Sequence, residues 1–161
     1  MPILHIQYAG QATDQTGKSV ALDPKTVLQK RGPVVQVSVS LGSAHAQTLQ
    51  QSGQAVPAPI SGYALIDTGA DGTCIDGGSA AKMGLPVIDV TKMSSASHED
   101  TAQNVHPIKI EFAGVPIIVE AERATTAKLE RFGLLLIIGR DVLQHCNLVY
   151  NGIAGAITLS V

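Results

Sequence analysis

Residues 34–41, Val-Val-Gln-Val-Ser-Val-Ser-Leu, alternate apolar and polar side chains, the period-two signature of a strand with one buried face. Residues 3–8 carry a weaker version of the same pattern. Tyr63-Ala64-Leu65-Ile66 and Leu134-Leu135-Leu136-Ile137-Ile138 are continuous apolar runs, short enough to be buried strands. Residues 87–93, 105–112 and 117–120 predict further strands, and residues 147–149 and 157–161 a hairpin around Asn151-Gly152. Helical signals are short. Asp23-Pro24-Lys25 reads as an N-cap with proline in the first turn, opening a helix to Lys30 that Gly32-Pro33 stops. Residues 79–83 predict a second helix, closed by Gly84 in the left-handed conformation with Pro86 beyond it. Residues 47–59, rich in Gln, Ser, Pro and Ala, read as a loop. Residues 121–131, charged and Thr-rich, fit either a loop or one helical turn. Many short strands with little helix predict an all-β fold, and no internal repeat interrupts it.

A chain of 161 residues holds one domain with a real core. Its formal charge of −2 and scattered basic residues, with Lys30-Arg31 the only adjacent pair, give no electrostatic footprint for nucleic acid or an acidic membrane surface. No apolar stretch approaches membrane-spanning length, and residues 1–5 do not open a signal peptide, so a cytoplasmic protein is expected. Cys74 and Cys146 form no secreted-type framework and read as buried free thiols. His98 and His106, with Glu99 and Asp100 between them, match no zinc spacing and are expected to be exposed. The glycines compose no phosphate-binding loop, so neither metal nor organic cofactor is expected.

The chemistry concentrates in Asp67-Thr68-Gly69-Ala70-Asp71, directly after the apolar run ending at Ile66. A carboxylate at the end of a buried strand loses hydration, at a cost of several kcal/mol unless it is compensated. Two such carboxylates facing each other can share a proton and polarise a water between them. That arrangement needs a second Asp-Thr-Gly, and no other Asp here is followed by Thr-Gly or Ser-Gly. A catalytic dyad therefore requires a second copy of the chain, which predicts a homodimer.

The strand, the Asp-Thr-Gly-Ala-Asp turn and the downstream Leu-Leu-Leu-Ile-Ile-Gly-Arg-Asp-Val-Leu of residues 134–143 together resemble the retropepsin-like aspartic proteases, single-domain dimeric relatives of pepsin. The resemblance covers residues 32–161 and leaves residues 1–31 as an N-terminal extension. It implies a closed β-barrel of the acid protease fold, with short helices after the Asp-Thr-Gly turn and after Ile137-Ile138-Gly139. It also implies an aspartic endopeptidase with Asp67, Thr68 and Gly69 as catalytic residues and a peptide or protein as substrate. Asp67 would be the shared carboxylate, Thr68 would reach the partner's backbone, and Gly69 would permit the sharp turn. Pepsin-type enzymes commonly place a hydroxyl donor at the position of Ala70; alanine withholds it, favouring a working range nearer neutral pH.

The same resemblance implies an ion pair between Asp71 and Arg140, and places a substrate-closing flap at residues 94–100. Substrate contacts are expected from Ala70, Asp71, Met93, Ser94, Ser95, Ala96, Ser97 and Ile138, with Leu65, Val90 and Ile137 as further pocket candidates. The flap segment departs from its glycine-rich counterparts: it has no glycine and carries His98, Glu99 and Asp100. A different class of function also fits, a retropepsin-fold dimer that binds or scaffolds peptides with little or no hydrolysis. Residues 1–31 are in addition a candidate pro-segment, removed by self-cleavage.

Overall fold

The computed structural model describes residues 1–95 and 98–161, with the side chains of residues 93–100 outside the description. Strand β1 (Ile3–Gln7) leads into a small hairpin, β2 (Gly10–Thr13) and β3 (Ser19–Leu22). Helix α1 (Pro24–Arg31) follows, with proline in its first turn and Gly32, at φ 73°, ending it. Next come β4 (Val34–Leu41), α2 (Ser43–Gln51), β5 (Ile60–Ile66), β6 (Cys74–Asp76) and α3 (Gly77–Met83). The chain continues through β7 (Asp89–Ser95), β8 (His98–Phe112), β9 (Ile118–Ala127), a 3-10 turn at Glu130–Phe132 and β10 (Leu136–Ile138). Helix α4 (Arg140–Leu143), β11 (Asn147–Asn151) and β12 (Ala156–Ser160) complete it.

The fold is all-β, built on a closed barrel. Strands run in the order β4-β5-β10-β6-β9-β8, and β8 returns to β4 through pairs from Val37↔Phe112 to Leu41↔Ile108, so the six-stranded ring has no open edge. The alternation of β4 sends Val35, Val37, Val39 and Leu41 into the core, each no more than 1% exposed. Opposite them lie Ile108, Ile110, Ile75 and Leu136, all fully buried. The first half of β8 pairs with β7 from Asp89↔Val105 to Ser95↔His98, so these two strands form an arm beyond the part of β8 that closes the barrel.

The N-terminal segment is woven into this body. Strand β1 pairs antiparallel with β12, and β12 with β11, giving a three-stranded sheet outside the barrel. Leu4, Tyr8, Val27 and Leu28 are buried in the same core cluster as the barrel residues. The Tyr8 hydroxyl donates to the carbonyl of Val34 at 3.0 Å. Burial, aided by neighbouring Tyr150, pushes the Tyr8 phenol up to about 12, so it remains a donor at any working pH.

Beyond the unanticipated β2–β3 hairpin and the earlier start of β8, two segments differ in kind from the sequence expectation. Within residues 47–59, α2 occupies the first part and the loop begins only at Ser52. Ala, Leu and Gln are good helix formers, and Ala46 and Leu49 pack against the core, which anchors an otherwise polar helix. Residues 121–131 are mostly strand: β9 runs to Ala127 between β8 and β6, and only then gives a 3-10 turn. Pairing on both sides overrides the charged sequence, with Ala121 and Ala124 turned inward.

Leu28→Ala removes a fully buried side chain from the N-terminal segment. It is expected to lower unfolding free energy by about 2–5 kcal/mol in urea titrations, the cost of a core cavity. A loss near zero would show that this segment packs independently of the barrel.

Candidate active site

Strands β5 and β10 run parallel and in register, with Leu65 beside Ile137 and Ile66 beside Ile138. Each ends in a turn, and the two turns hold each other. The Asp67 amide donates to the Ile138 carbonyl at 3.0 Å, and the Ala70 amide closes the Asp-Thr-Gly turn onto the Asp67 carbonyl at 3.2 Å. The Asp67 side chain is half-buried, and its Oδ1 accepts from the Gly69 amide at 2.8 Å. Among the described residues Oδ2 has no partner. A Cβ on Gly69 would stand 3.1 Å from Oδ1, close enough that the carboxylate would have to shift by a few tenths of an ångström.

The second turn is equally constrained. A Cβ on Gly139 would lie 2.5 Å from the backbone of Gly72, so only glycine lets the two loops cross. The Gly139 amide donates to Thr73 Oγ1 at 3.1 Å, and that fully buried hydroxyl donates to Asp141 Oδ1 at 2.8 Å. Asp141 Oδ2 accepts from the Thr73 amide at 3.0 Å. Thr73 and Asp141 thus lock α4 to the acid turn. The resemblance had assigned no role to either.

Arg140 corrects one expectation. Its Nη1 donates to the carbonyls of Thr68 and Gly69, at 2.8 and 3.0 Å, while Asp71 Oδ1 accepts from the Gly72 amide at 2.9 Å. Among the described residues the ion pairs are Lys109–Glu111 and Arg123–Asp89, and no Asp71–Arg140 pair forms. The physical reason is local: the acid turn leaves the Thr68 and Gly69 carbonyls without backbone donors among the described residues, and a guanidinium satisfies both while staying charged. The Thr68 side chain is exposed, and its hydroxyl has no hydrogen bond among the described residues.

Ile138 needs a second correction. It is fully buried in the core, so it cannot touch substrate, whereas Leu65 and Ile137 are half-buried on the opposite face of the sheet. Strand alternation decides this, since Ile138 pairs with the inward Ile66. Ala70 is half-buried and Asp71 exposed at the turn, and Val90 is exposed on the β7 arm. Met93, Ser94 and Ser95 fall on β7 with side chains outside the described set, and Ala96 and Ser97 lie outside the described residues.

Histidine 106 departs from expectation as well, being 4% exposed with Nδ1 2.9 Å from the Pro86 carbonyl. Pairing with β9 at Ala124 encloses it. Among the described residues no three His, Cys, Asp or Glu side chains converge as metal ligands. Both cysteines are free. Burial pushes the Cys74 thiol up; Thr125 opposes this through a hydrogen bond, and the charges of Asp141, Asp71 and Asp67 add to it, so the thiol beneath the acid turn stays neutral and unreactive.

Asp76, the last residue of β6, ties α3 to the turn after β9. It caps α3 by accepting from the Ser79 amide and hydroxyl at 2.9 and 3.0 Å, and its other oxygen accepts from the Leu129 and Glu130 amides, both at 3.1 Å. Burial is the largest single influence and would raise its proton affinity. The four donors together outweigh it, so the carboxyl sits below the usual aspartate range.

No family model matches the chain, and no curated protein is significantly similar in sequence. Two of the solved structures similar to it are a protease-like domain and a protease. The crystal structure of the retroviral protease-like domain of Ddi1 from Leishmania major shares 14% identity over 73% of this chain and 81% of that one, with a TM-score of 0.40. That of a retropepsin-like aspartic protease from Rickettsia conorii shares 14% over 78% of this chain and 90% of that one, with a TM-score of 0.36. Both similarities are distant, and the functional reading rests on the site itself.

A carboxyl whose folded affinity for protons is depressed contributes stability above its unfolded value near 3.9 and loses it as pH falls through the folded value. Asp76→Asn turns an amide NH2 toward backbone donors, at an expected cost of about 1–3 kcal/mol at pH 7. Urea unfolding should show the wild-type advantage shrinking below about pH 4. A gap that stayed constant down to pH 2 would refute this role for Asp76.

Proposed function

We propose that the chain is an aspartic endopeptidase whose active site is completed by a second copy of itself. One observation carries the reading. Asp67 is held at the mouth of β5 with one oxygen bound to Gly69 and the other without a partner among the described residues, in a turn braced by Arg140. A half-buried carboxylate at the end of an apolar strand, in a turn held by backbone bonds, is well suited to meet its own twin. The exposed Thr68 hydroxyl is equally suited to bond across the pair.

In that dimer the two Asp67 side chains hold one proton between them, because two adjacent charges are too costly. The ionised member takes a proton from a water, which attacks the scissile carbonyl. The protonated member donates to the carbonyl oxygen, and a tetrahedral diol forms without an acyl-enzyme. Its collapse breaks the C–N bond as a proton passes to the leaving amine. The substrate lies extended, as added strands do, with the β7–β8 arm as its cover. The chemistry calls on no metal or organic cofactor, and a cytoplasmic setting suits the free thiols. No helix among the described residues is long and apolar enough to cross a membrane.

Asp67→Asn is expected to reduce kcat on cleaved library peptides by roughly 10²–10⁴-fold, the contribution of general acid–base groups. Sedimentation should show the same dimer for wild type and variant. Unchanged turnover, or an active monomer, ends this reading; wild type that binds peptides without cutting them points instead to a peptide-binding module.

A further inference from the structure

Resting on the proteolytic reading above, we propose that Lys30 and Arg31, at the end of α1, determine specificity: they wall a substrate groove that selects an extended peptide bearing an acidic side chain next to an apolar one. The groove encloses about 930 Å3, at the upper end of the range for ligand-sized clefts. Leu65 and Ile137 line it side by side from the adjacent strands β5 and β10. Tyr8, Phe132 and the two basic residues line it as well. Asp67 does not line the groove, but it lies two residues beyond Leu65, in the turn that directly follows β5, about 7 Å along the chain. An apolar side chain seated on Leu65 and Ile137 therefore brings the adjoining peptide backbone within reach of the acid turn.

The charge of the wall sets it apart from the rest of the molecule. The chain carries a formal charge of −2, yet the groove is lined by two cations and no carboxylate. Neither Lys30 nor Arg31 forms an ion pair among the described residues. Arg131 adds a third cation at the adjoining turn, stacked 4.5 Å from the centre of the Phe132 ring. The uncharged polar residues Gln7, Tyr8, Gln36 and Tyr63 also line it, and of these the Tyr8 hydroxyl is already spent on the Val34 carbonyl and keeps its proton. An acidic side chain on the peptide meets complementary charge beside a low-dielectric apolar floor, while a basic one meets repulsion. These two cations come from residues 1–31, the segment outside the resemblance, so the preference belongs to this chain rather than to the barrel.

Three labelled peptides, identical except for Glu, Gln or Lys next to a central Leu, separate the possibilities. Their anisotropy with Asp67→Asn reports binding without cleavage, and kcat/KM with wild type reports cleavage. Glu should exceed Lys roughly tenfold in both, and the advantage should shrink in 0.5 M salt, as about 8–10 Å screening becomes shorter. Lys30→Glu/Arg31→Glu should invert the order, and Lys30→Gln/Arg31→Gln should level it, with thermal unfolding verifying that each variant folds. Equal treatment of the three peptides by wild type overturns the proposal, and so does a Glu preference that survives charge reversal. A sedimentation shift toward monomer in either charge variant also overturns it, because a second copy then fills the groove. Binding with Glu preference but no cleavage by wild type supports the groove and defeats the protease reading; cleavage blind to charge does the reverse.

Discussion

The backbone at Gly72 passes where a side chain on Gly139 would have to be, and the geometry around the acid turn follows from that crossing. Once the two loops lie in contact, the Gly139 amide finds Thr73, Thr73 finds Asp141, and Arg140 comes over the carbonyls of Thr68 and Gly69. Each buried donor is matched, which is what makes such a network rigid rather than costly. Asp67 is positioned as a consequence. Its own carboxylate contributes one bond, and the neighbouring loop supplies the rest of the support.

The parallel pairing of β5 with β10 then sorts side chains between two roles. Ala64, Ile66, Leu136 and Ile138 face the core, while Leu65 and Ile137 line the groove. Because pairing is in register, the face that carries groove residues is continuous across both strands. Leu65 and Ile137 are half-buried outside the core cluster, so truncating either leaves the barrel interior filled. The N-terminal segment contributes a further wall, since Leu4, Tyr8, Val27 and Leu28 bind it into the same core. Its removal would uncover those side chains as well as the groove, so treating it as a detachable pro-segment conflicts with its packing.

The alternation of residues 34–41 located β4 to the residue, because polar and apolar positions there have a single consistent reading. The left-handed cap at Gly84 and the proline opening α1 were equally legible, each being a local backbone rule. The acid turn was visible because its sequence is rare and its strand apolar. Ile138 was misread for the opposite reason: in a run that is apolar throughout, nothing marks which side chains face inward. The burial of His106 and the length of β9 depend on strands paired from distant parts of the chain. In the sequence nothing told the Asp71 carboxylate from the turn's carbonyls as the partner of Arg140, and only the shape of the turn decided between them.

The edge pairing between β1 and β12 joins residues as far apart as His5 and Thr158, 153 positions along the chain. During synthesis the first strand must therefore wait for the last, since a contact of that range cannot form until both ends are available. The crossing at Gly139 needs only residues that have already emerged by then. Assembly thus finishes at the N-terminal wall, and a nascent chain holds its acid turn in shape before the cleft beside it is complete.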